Sequence, residues 1–382
     1  MAKNNYLMVS LIVIAVFVAM ALGYVNIKDN MGGVNNALSG KIVNVNDNLE
    51  TVKIGSINPL SGRVSYLGIA TANGARLAIK DIRKEHGVDA LKVVFEDSKG
   101  NPAEAVLAAK KLMFVDYVDV VFSELTGTSL AVSPAVLEQN KPLVYLAFTK
   151  NIIDDNALSI KTFLNFDDAC EEFMGLGYDE DNILVIDQTK TNGESCLKGL
   201  KRANNEFNYD LELIDAGGDY KTILLKAKRD NYDRIIPLCY ESTCLNIIKQ
   251  MIELGIEIPL FCNKDNCATE KIVEAIGIEN MPETIYFVQD VNEEYVEKYK
   301  AEYGEDSSDA DIIYSSTGYD VIKSIFNAVR KCPDKKSECI IEKFSEEKSS
   351  VDSAMNYIFE NRVMVPEIGL YEIMDGKVEL LK

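Results

Sequence analysis

The side chains here that could do chemistry are few in kind: eight cysteines, one histidine, and 60 acidic residues against 40 basic ones. His86 sits in Arg83-Lys84-Glu85-His86-Gly87, the polar end of a helical pattern, where a solvated imidazole in the last turn is favoured by the helix dipole. With one histidine, most triad and metal-hydrolase chemistry is out of reach. The chain also has no GxxxxGK[ST] phosphate loop, no HExxH and no GxSxG nucleophile elbow. Carboxylates acting alone as acid and base are the remaining enzymatic option, and the acids at candidate ligand positions are accounted for by cation binding. The chain reads as a non-enzyme without catalytic residues, metal or cofactor.

All the cysteines lie between Cys170 and Cys339. Cys239, Cys244, Cys262 and Cys267 repeat one CxxxxC spacing, each pair falling where an expected strand meets the next helix. A metal site would want a third element such as histidine, and Lys264 and Asp265 intervene in the second pair. Buried thiols, or disulfides across neighbouring strands, fit these positions better. Cys332 and Cys339 bracket a short loop that one bridge could close. An even number of cysteines in a chain that looks exported permits disulfides.

A binding geometry is written at the start of the folded part. VKIGSIN (52–58) runs into Pro59-Leu60-Ser61-Gly62 and then a helical pattern from Gly68 to Arg83. A strand ending in a tight turn before a helix aims that helix's first turns at whatever lies beyond the strand's carboxyl edge, and such edges make ligand sites.

The elements needed to position such a site alternate along the chain. Strands are expected at 52–57, 91–96, 118–122 and 143–146, with helices at 70–84, 102–115 and 129–139 between them. The pattern repeats at 182–186, 211–214, 234–238, 259–262 and 284–288. Helices at 293–303 and 314–329 and short strands at 357–359, 370–373 and 378–381 close the chain. Apolar strands alternating with amphipathic helices predict an α/β fold of two doubly wound parallel-sheet lobes with a ligand cleft between them, preceded by an N-terminal apolar helix. A length of 382 residues suits two such lobes. Residues 1–27 are a membrane anchor or signal segment, because 6–24 is almost wholly apolar and long enough to cross a bilayer core. Residues 28–50, rich in Asn and Gly, read as a flexible linker. The net charge of -20 repels phosphate backbones, which excludes nucleic acid as a partner.

Seven segments in order, IGSINPLSG, GARLAIKDI, VVFEDSKGNPAEAVLAAKKLM, VDVVFSELTGTSLAVSPAVLEQNKPLV, TNGES, SSTGYD and YEIMDGKV, resemble the leucine/isoleucine/valine-binding family of extracytoplasmic solute receptors that serve ABC transporters, the type I periplasmic-binding-protein fold. The resemblance runs from about residue 51 to the end. It implies two lobes joined by three crossing segments, the first holding 51–165 plus 289–350 and the second 166–288 plus 351–382. It also implies a small-molecule ligand, an amino acid or related amide, passed to an ABC permease by an extracytoplasmic receptor; the apolar 6–24 stretch would hold that receptor at the membrane through an N-terminal helix, or leave it secreted or periplasmic if cleaved. The same fold serves as a ligand-sensing ectodomain or amide-responsive regulator, which is the alternative role.

The resemblance also nominates residues. Gly127 and Thr128 open a helix whose free amides suit a carboxylate, with Gly127 replacing the family's usual hydroxyl residue; helix capping by Thr128 or Ser129 is a compatible structural role. Ala147 and Thr149 match a segment whose carbonyl and hydroxyl meet the ligand's ammonium and carboxylate. Asp265 falls where amino-acid receptors carry an acid, set against a plain helix-capping role beside Lys264. Tyr240 matches an aromatic lying over the ligand backbone. Leu67, with Tyr66 beside it, and Asn192 occupy positions where the family has aromatics, which enlarges or depolarises the cleft.

Overall fold

The structure is a computed structural model that describes residues 50–381 apart from 179–181, 190, 191 and 207. The expected anchor or signal segment at 1–27 and all but the last residue of the 28–50 linker lie outside the described residues. Among the described residues, no helix is long and apolar enough to cross a membrane.

The strands, in chain order, are β1 (Val52–Asn58), β2 (Leu91–Asp97), β3 (Val120–Glu124), β4 (Leu143–Leu146), β5 (Ser159–Thr162), β6 (Asn182–Asp187), β7 (Asn208–Leu213), β8 (Arg234–Leu238), β9 (Leu260–Asn263), β10 (Thr284–Gln289), β11 (Tyr357–Glu360), β12 (Val363–Pro366), β13 (Ile368–Met374) and β14 (Lys377–Leu380). They form two seven-stranded sheets, ordered β11-β12-β5-β4-β3-β1-β2 and β14-β13-β10-β9-β8-β6-β7. Each has the parallel, doubly wound core that the alternating pattern predicts, with an antiparallel pair at one rim. The central strands read as continuous apolar runs because helices cover both faces: Ile54, Val120, Val121, Leu184 and Ile235 are wholly buried.

Helix starts explain most of the differences from the sequence pattern. The first helix is Ser65–His86, beginning before Gly68. Its start is set by the Asp97 side chain, which accepts hydrogen bonds from the Leu60 and Ser61 amides and the Ser61 hydroxyl and so ties the turn after β1 into a tight knot. The Asp309–Arg330 helix likewise starts early, on a capping box between Ser308 and Asp311. These two helices touch backbone to backbone. A Cβ on Gly74 would sit 1.8 Å from the Ser315 carbonyl oxygen, and one on Gly318 would sit 2.2 Å from that of Thr71, so glycine is required at both positions.

The chain tail needs a correction. Residues 351–382 do not all belong with the second lobe, because β11 and β12 extend the first sheet beside β5. The Lys161 amide donates to the Arg362 carbonyl at 2.9 Å, and the Arg362 guanidinium satisfies the Ile153, Asn156 and Ser159 carbonyls of the first lobe. Strands β5 and β12, four residues each, are not among those the sequence pattern predicts.

The chain passes between sheets three times, at 163–165, at 290–292 and at Glu367. The second and third crossings are hydrogen-bonded, Asp290 amide to Glu367 carbonyl at 3.0 Å. At the first, the ammonium of fully buried Lys161 donates to the Phe163 and Leu164 carbonyls at 2.6 and 3.0 Å, while Phe163 adopts a left-handed φ of 86°. Burial pushes the Lys161 ammonium down to about 7.

The cysteines form disulfides Cys170–Cys196, Cys239–Cys244, Cys262–Cys267 and Cys332–Cys339. The middle two close within their own strand-to-helix loops rather than across strands, since residues five apart there bring their Cα atoms to 5.7 and 6.2 Å, within disulfide reach. That removes all four sulfurs from metal chemistry.

Candidate functional site

In both sheets the strand order reverses beside the first strand, between β1 and β3 and between β6 and β8, and ligands of open α/β sheets bind outside the carboxyl ends at such points. The two switch points face one another across a cavity of about 130 Å³. Its first-lobe wall comes from Tyr66 and Leu67 after β1, Leu125 to Thr128 after β3 and Leu146 to Phe148 after β4. Its second-lobe wall comes from Thr189 and Asn192 after β6, Cys239 and Tyr240 after β8 and Asn266 after β9. A larger, open groove of about 950 Å³ runs past Asp81, Lys298, Tyr319 and Ser349–Ser353. Its central charges already satisfy one another, with Lys298 and the Tyr319 hydroxyl both bonded to Asp81.

The first-lobe wall is built around the amino end of the Thr126–Glu138 helix. Leu125 enters it at φ 73° and ψ 144°, a conformation an L-residue adopts only when its surroundings enforce it. The enforcing contact is its amide, which donates to the Leu146 carbonyl at 3.0 Å. No side chain caps this helix, so neither Thr128 nor Ser129 plays the expected capping role. The Thr128 hydroxyl turns back to the Leu125 carbonyl at 3.0 Å and to that of Glu124, and the Ser129 hydroxyl goes to Ser123 at 3.0 Å. What faces the cavity is therefore backbone N–H and helix dipole, which favour an anion. A Cβ on Gly127 would meet nothing within 4 Å.

Behind this wall runs a buried polar chain that the sequence did not single out. The Ser56 hydroxyl donates to the Asn58 side chain at 2.6 Å, and Asn58 and Thr71 each donate to the Glu124 carboxyl, at 2.8 and 3.0 Å. Burial pushes Glu124 up to about 7, held back by those two bonds. An acid closing the apolar strand VVFSE was the available signal.

Asp265 is 2% exposed, and its Oδ1 has no hydrogen-bond partner among the described residues. Burial pushes its carboxyl up to about 7, opposed by the nearby Tyr314 hydroxyl, which favours the charged form. The capping role weighed for it belongs to Asn263, whose side chain accepts from the Asp265 amide at 3.4 Å. Asp265 does not itself line the cavity; Asn266 and Tyr314 do, with Tyr66 at 36% exposure also on the lining. Tyr314 immediately precedes the SSTGYD motif and was not foreseen. Thr149 also lies off the cavity, its hydroxyl accepting from the Asn151 amide at 3.3 Å where the next helix begins. Of the nominated residues, Tyr66, Leu67, Gly127, Thr128, Ala147, Asn192 and Tyr240 come together on the lining.

Among the described residues, contacts crossing between the lobes include Lys264 to Asp309 at 2.7 Å, Lys198 to Asn151 at 2.9 Å, Thr126 to Asn192 at 3.5 Å and Lys150 to Asp167 at 2.9 Å. They describe a closed cleft.

The family model described as periplasmic binding protein matches residues 51–363, which take in the first two crossings and most of both lobes. The chain belongs to the periplasmic binding protein family. This is a family of extracytoplasmic solute-binding receptors, not of enzymes. Among curated relatives, Leu/Ile/Val-binding protein homolog 7 of Brucella abortus (strain 2308) is 26% identical over 312 residues, 73% of this chain and 77% of the relative. Two solved structures share the fold. The branched-chain amino acid transporter substrate-binding protein LivJ of Streptococcus pneumoniae, in complex with isoleucine, superposes with a TM-score of 0.70 at 19% identity, over 87% of this chain and 99% of that one. A solute-binding protein of an ABC transporter from R. palustris, in complex with benzoate, gives 0.71 at 17% identity, over 87% and 95%.

Proposed function

We propose that this member of the periplasmic binding protein family binds a small free amino acid between its lobes and presents it to an ABC permease. The observation that carries the reading is the buried Asp265 carboxyl with one unpartnered oxygen, across the cleft from an uncapped helix amino end. A buried acid without a cation is costly, and a ligand ammonium relieves that cost while its carboxylate takes the helix amides. Asp265 is off the cavity lining while Tyr314 is on it, so the ammonium meets the acid through the Tyr314 hydroxyl.

Size narrows the class. A cavity of about 150 Å³ holds a benzene, so one of about 130 Å³ takes a ligand of about the same few heavy atoms. Peptides and nucleotides are too large for it. The Brucella relative's name and the isoleucine in the pneumococcal structure support an amino acid. The benzoate complex supplies the contrast, because benzoate brings a carboxylate and no ammonium for Asp265. In this reading the apolar 6–24 stretch keeps the receptor at the outer membrane face or directs its export.

The test is thermal unfolding of the full-length protein with each proteinogenic amino acid and with benzoate, since a ligand that favours the folded state must raise its melting temperature. A small amino acid should raise it, benzoate should not, and Asp265→Asn should lose most of the rise. No shift with any amino acid, or an Asp265→Asn response equal to wild type, contradicts the reading.

A further inference from the structure

Two of the four disulfides are built into the cleft. Cys239–Cys244 begins one residue past β8 and ends in the first turns of the Glu241–Glu253 helix. Cys262–Cys267 begins inside β9 and ends at the last residue of the short Lys264–Cys267 helix. The first ring encloses Tyr240, which lines the cavity beside Cys239. The second encloses Asp265, Asn266 and Lys264, the last being the residue that reaches Asp309 in the first lobe. The second-lobe groups contributed from the ends of β8 and β9 are therefore all held inside covalent rings or form them.

The rings are poorly placed to serve anything but local geometry. A disulfide's effect on global stability grows with the length of chain it closes, and these span five positions against 26 for Cys170–Cys196. All four cysteines are at most 2% exposed in the closed cleft, so a solvent-borne reductant does not reach them in this state. The Cys332–Cys339 ring makes a natural control. It is of similar size, spanning seven positions, but lies by Lys335, which bonds the Thr51 carbonyl at the amino end of β1, the edge opposite the cleft.

We propose that the Cys239–Cys244 and Cys262–Cys267 rings are positioning elements of the binding site, holding Tyr240 and Asp265 in ligand-ready geometry before ligand arrives. Loop ordering is a major cost of association, and a covalently fixed loop has less freedom to lose. Asp265 gains most, because its carboxyl is held buried beside the Tyr314 hydroxyl, a setting that a free loop would abandon for water. The inference rests on the amino-acid reading above.

Its test uses the oxidised full chain with L-valine as probe and three double variants, Cys239→Ala/Cys244→Ala, Cys262→Ala/Cys267→Ala and the control Cys332→Ala/Cys339→Ala. Calorimetric titration should show affinity reduced about tenfold or more by each cleft pair and about twofold or less by the control, against comparable losses of melting temperature in all three. Equal affinity losses in cleft and control variants overturn the proposal. Amide hydrogen exchange on ligand-free wild type needs neither variant nor ligand. Segments 239–244 and 262–267 should already be protected, and exchange as fast as that of exposed loops overturns the proposal. If oxidised wild type binds no L-valine, the amino-acid reading fails for that ligand, and the exchange measurement alone decides about the rings.

Discussion

The Lys264 ammonium lies 2.7 Å from the Asp309 carboxylate, and the two residues belong to different lobes. Lys264 follows β9 inside a disulfide ring, and Asp309 opens the long helix that packs on the first lobe. The pair bridges the two lobes across the cleft, which places it to latch the closed state. Both side chains are 25% exposed, which limits the pair to about 0.5–1 kcal/mol. Asp309→Ala should weaken amino-acid binding by about two- to fivefold, mainly through faster dissociation. The difference from wild type should shrink in high salt. Stopped-flow measurement of association and dissociation rates checks this.

Asp265 makes stability and binding respond to pH in opposite directions. Its folded-state carboxyl sits near about 7, far above the usual 3.9 or so of an unfolded aspartate. The ligand-free folded protein therefore holds more protons than the unfolded chain between those values. The contribution of this group is fully present below the unfolded pKa and is lost as pH rises through about 7. Buried Glu124 and Asp320 are pushed to about 7 as well and act in the same sense. The ligand ammonium wants Asp265 ionised, so affinity should rise by up to about tenfold per unit as pH approaches about 7 and level off above it. Melting curves and titrations from about pH 5 to about pH 8 check both trends, and Asp265→Asn should flatten the binding profile.

Gly127 leaves open space at the amino end of the Thr126–Glu138 helix. Gly127→Ser should fold with a melting temperature close to wild type and add a hydroxyl donor towards the ligand carboxylate. The expected gain is about 1 kcal/mol, or roughly fivefold in affinity. A loss of affinity would mean that the ligand fills this space.

Lys161 holds the first lobe crossing by bonding the Phe163 and Leu164 carbonyls. Lys161→Met keeps the aliphatic stem but leaves those buried carbonyls unpaired, which should cost about 1–3 kcal/mol of unfolding free energy. Denaturant unfolding of the two proteins measures it.

Much of this was legible in the residues. Strand β1, the Ser61-Gly62 turn and the alternating apolar pattern led to two doubly wound lobes, because period and turn chemistry are local properties. Most nominated cleft residues followed from motif positions at strand carboxyl ends. What was not legible depended on distant partners. Thr128 looks like a ligand donor until its hydroxyl is seen bonded to the Leu125 carbonyl, and Thr149 until it meets the Asn151 amide. Glu124 carries no spacing signal, since its partners Asn58 and Thr71 are 66 and 53 residues away. The 357–366 hairpin changed lobes because Arg362 reaches carbonyls more than 200 positions earlier in the chain.

The most direct test of recognition of both charges of a zwitterion is calorimetric titration of the full-length protein with a bound amino acid, its N-acetyl derivative and its decarboxylated amine. The free amino acid should bind, and each derivative should bind about a hundredfold or more weakly, since each leaves one buried charged or dipolar group unpaired. An N-acetyl derivative or an aromatic acid binding as tightly as the free amino acid would contradict the role given to Asp265.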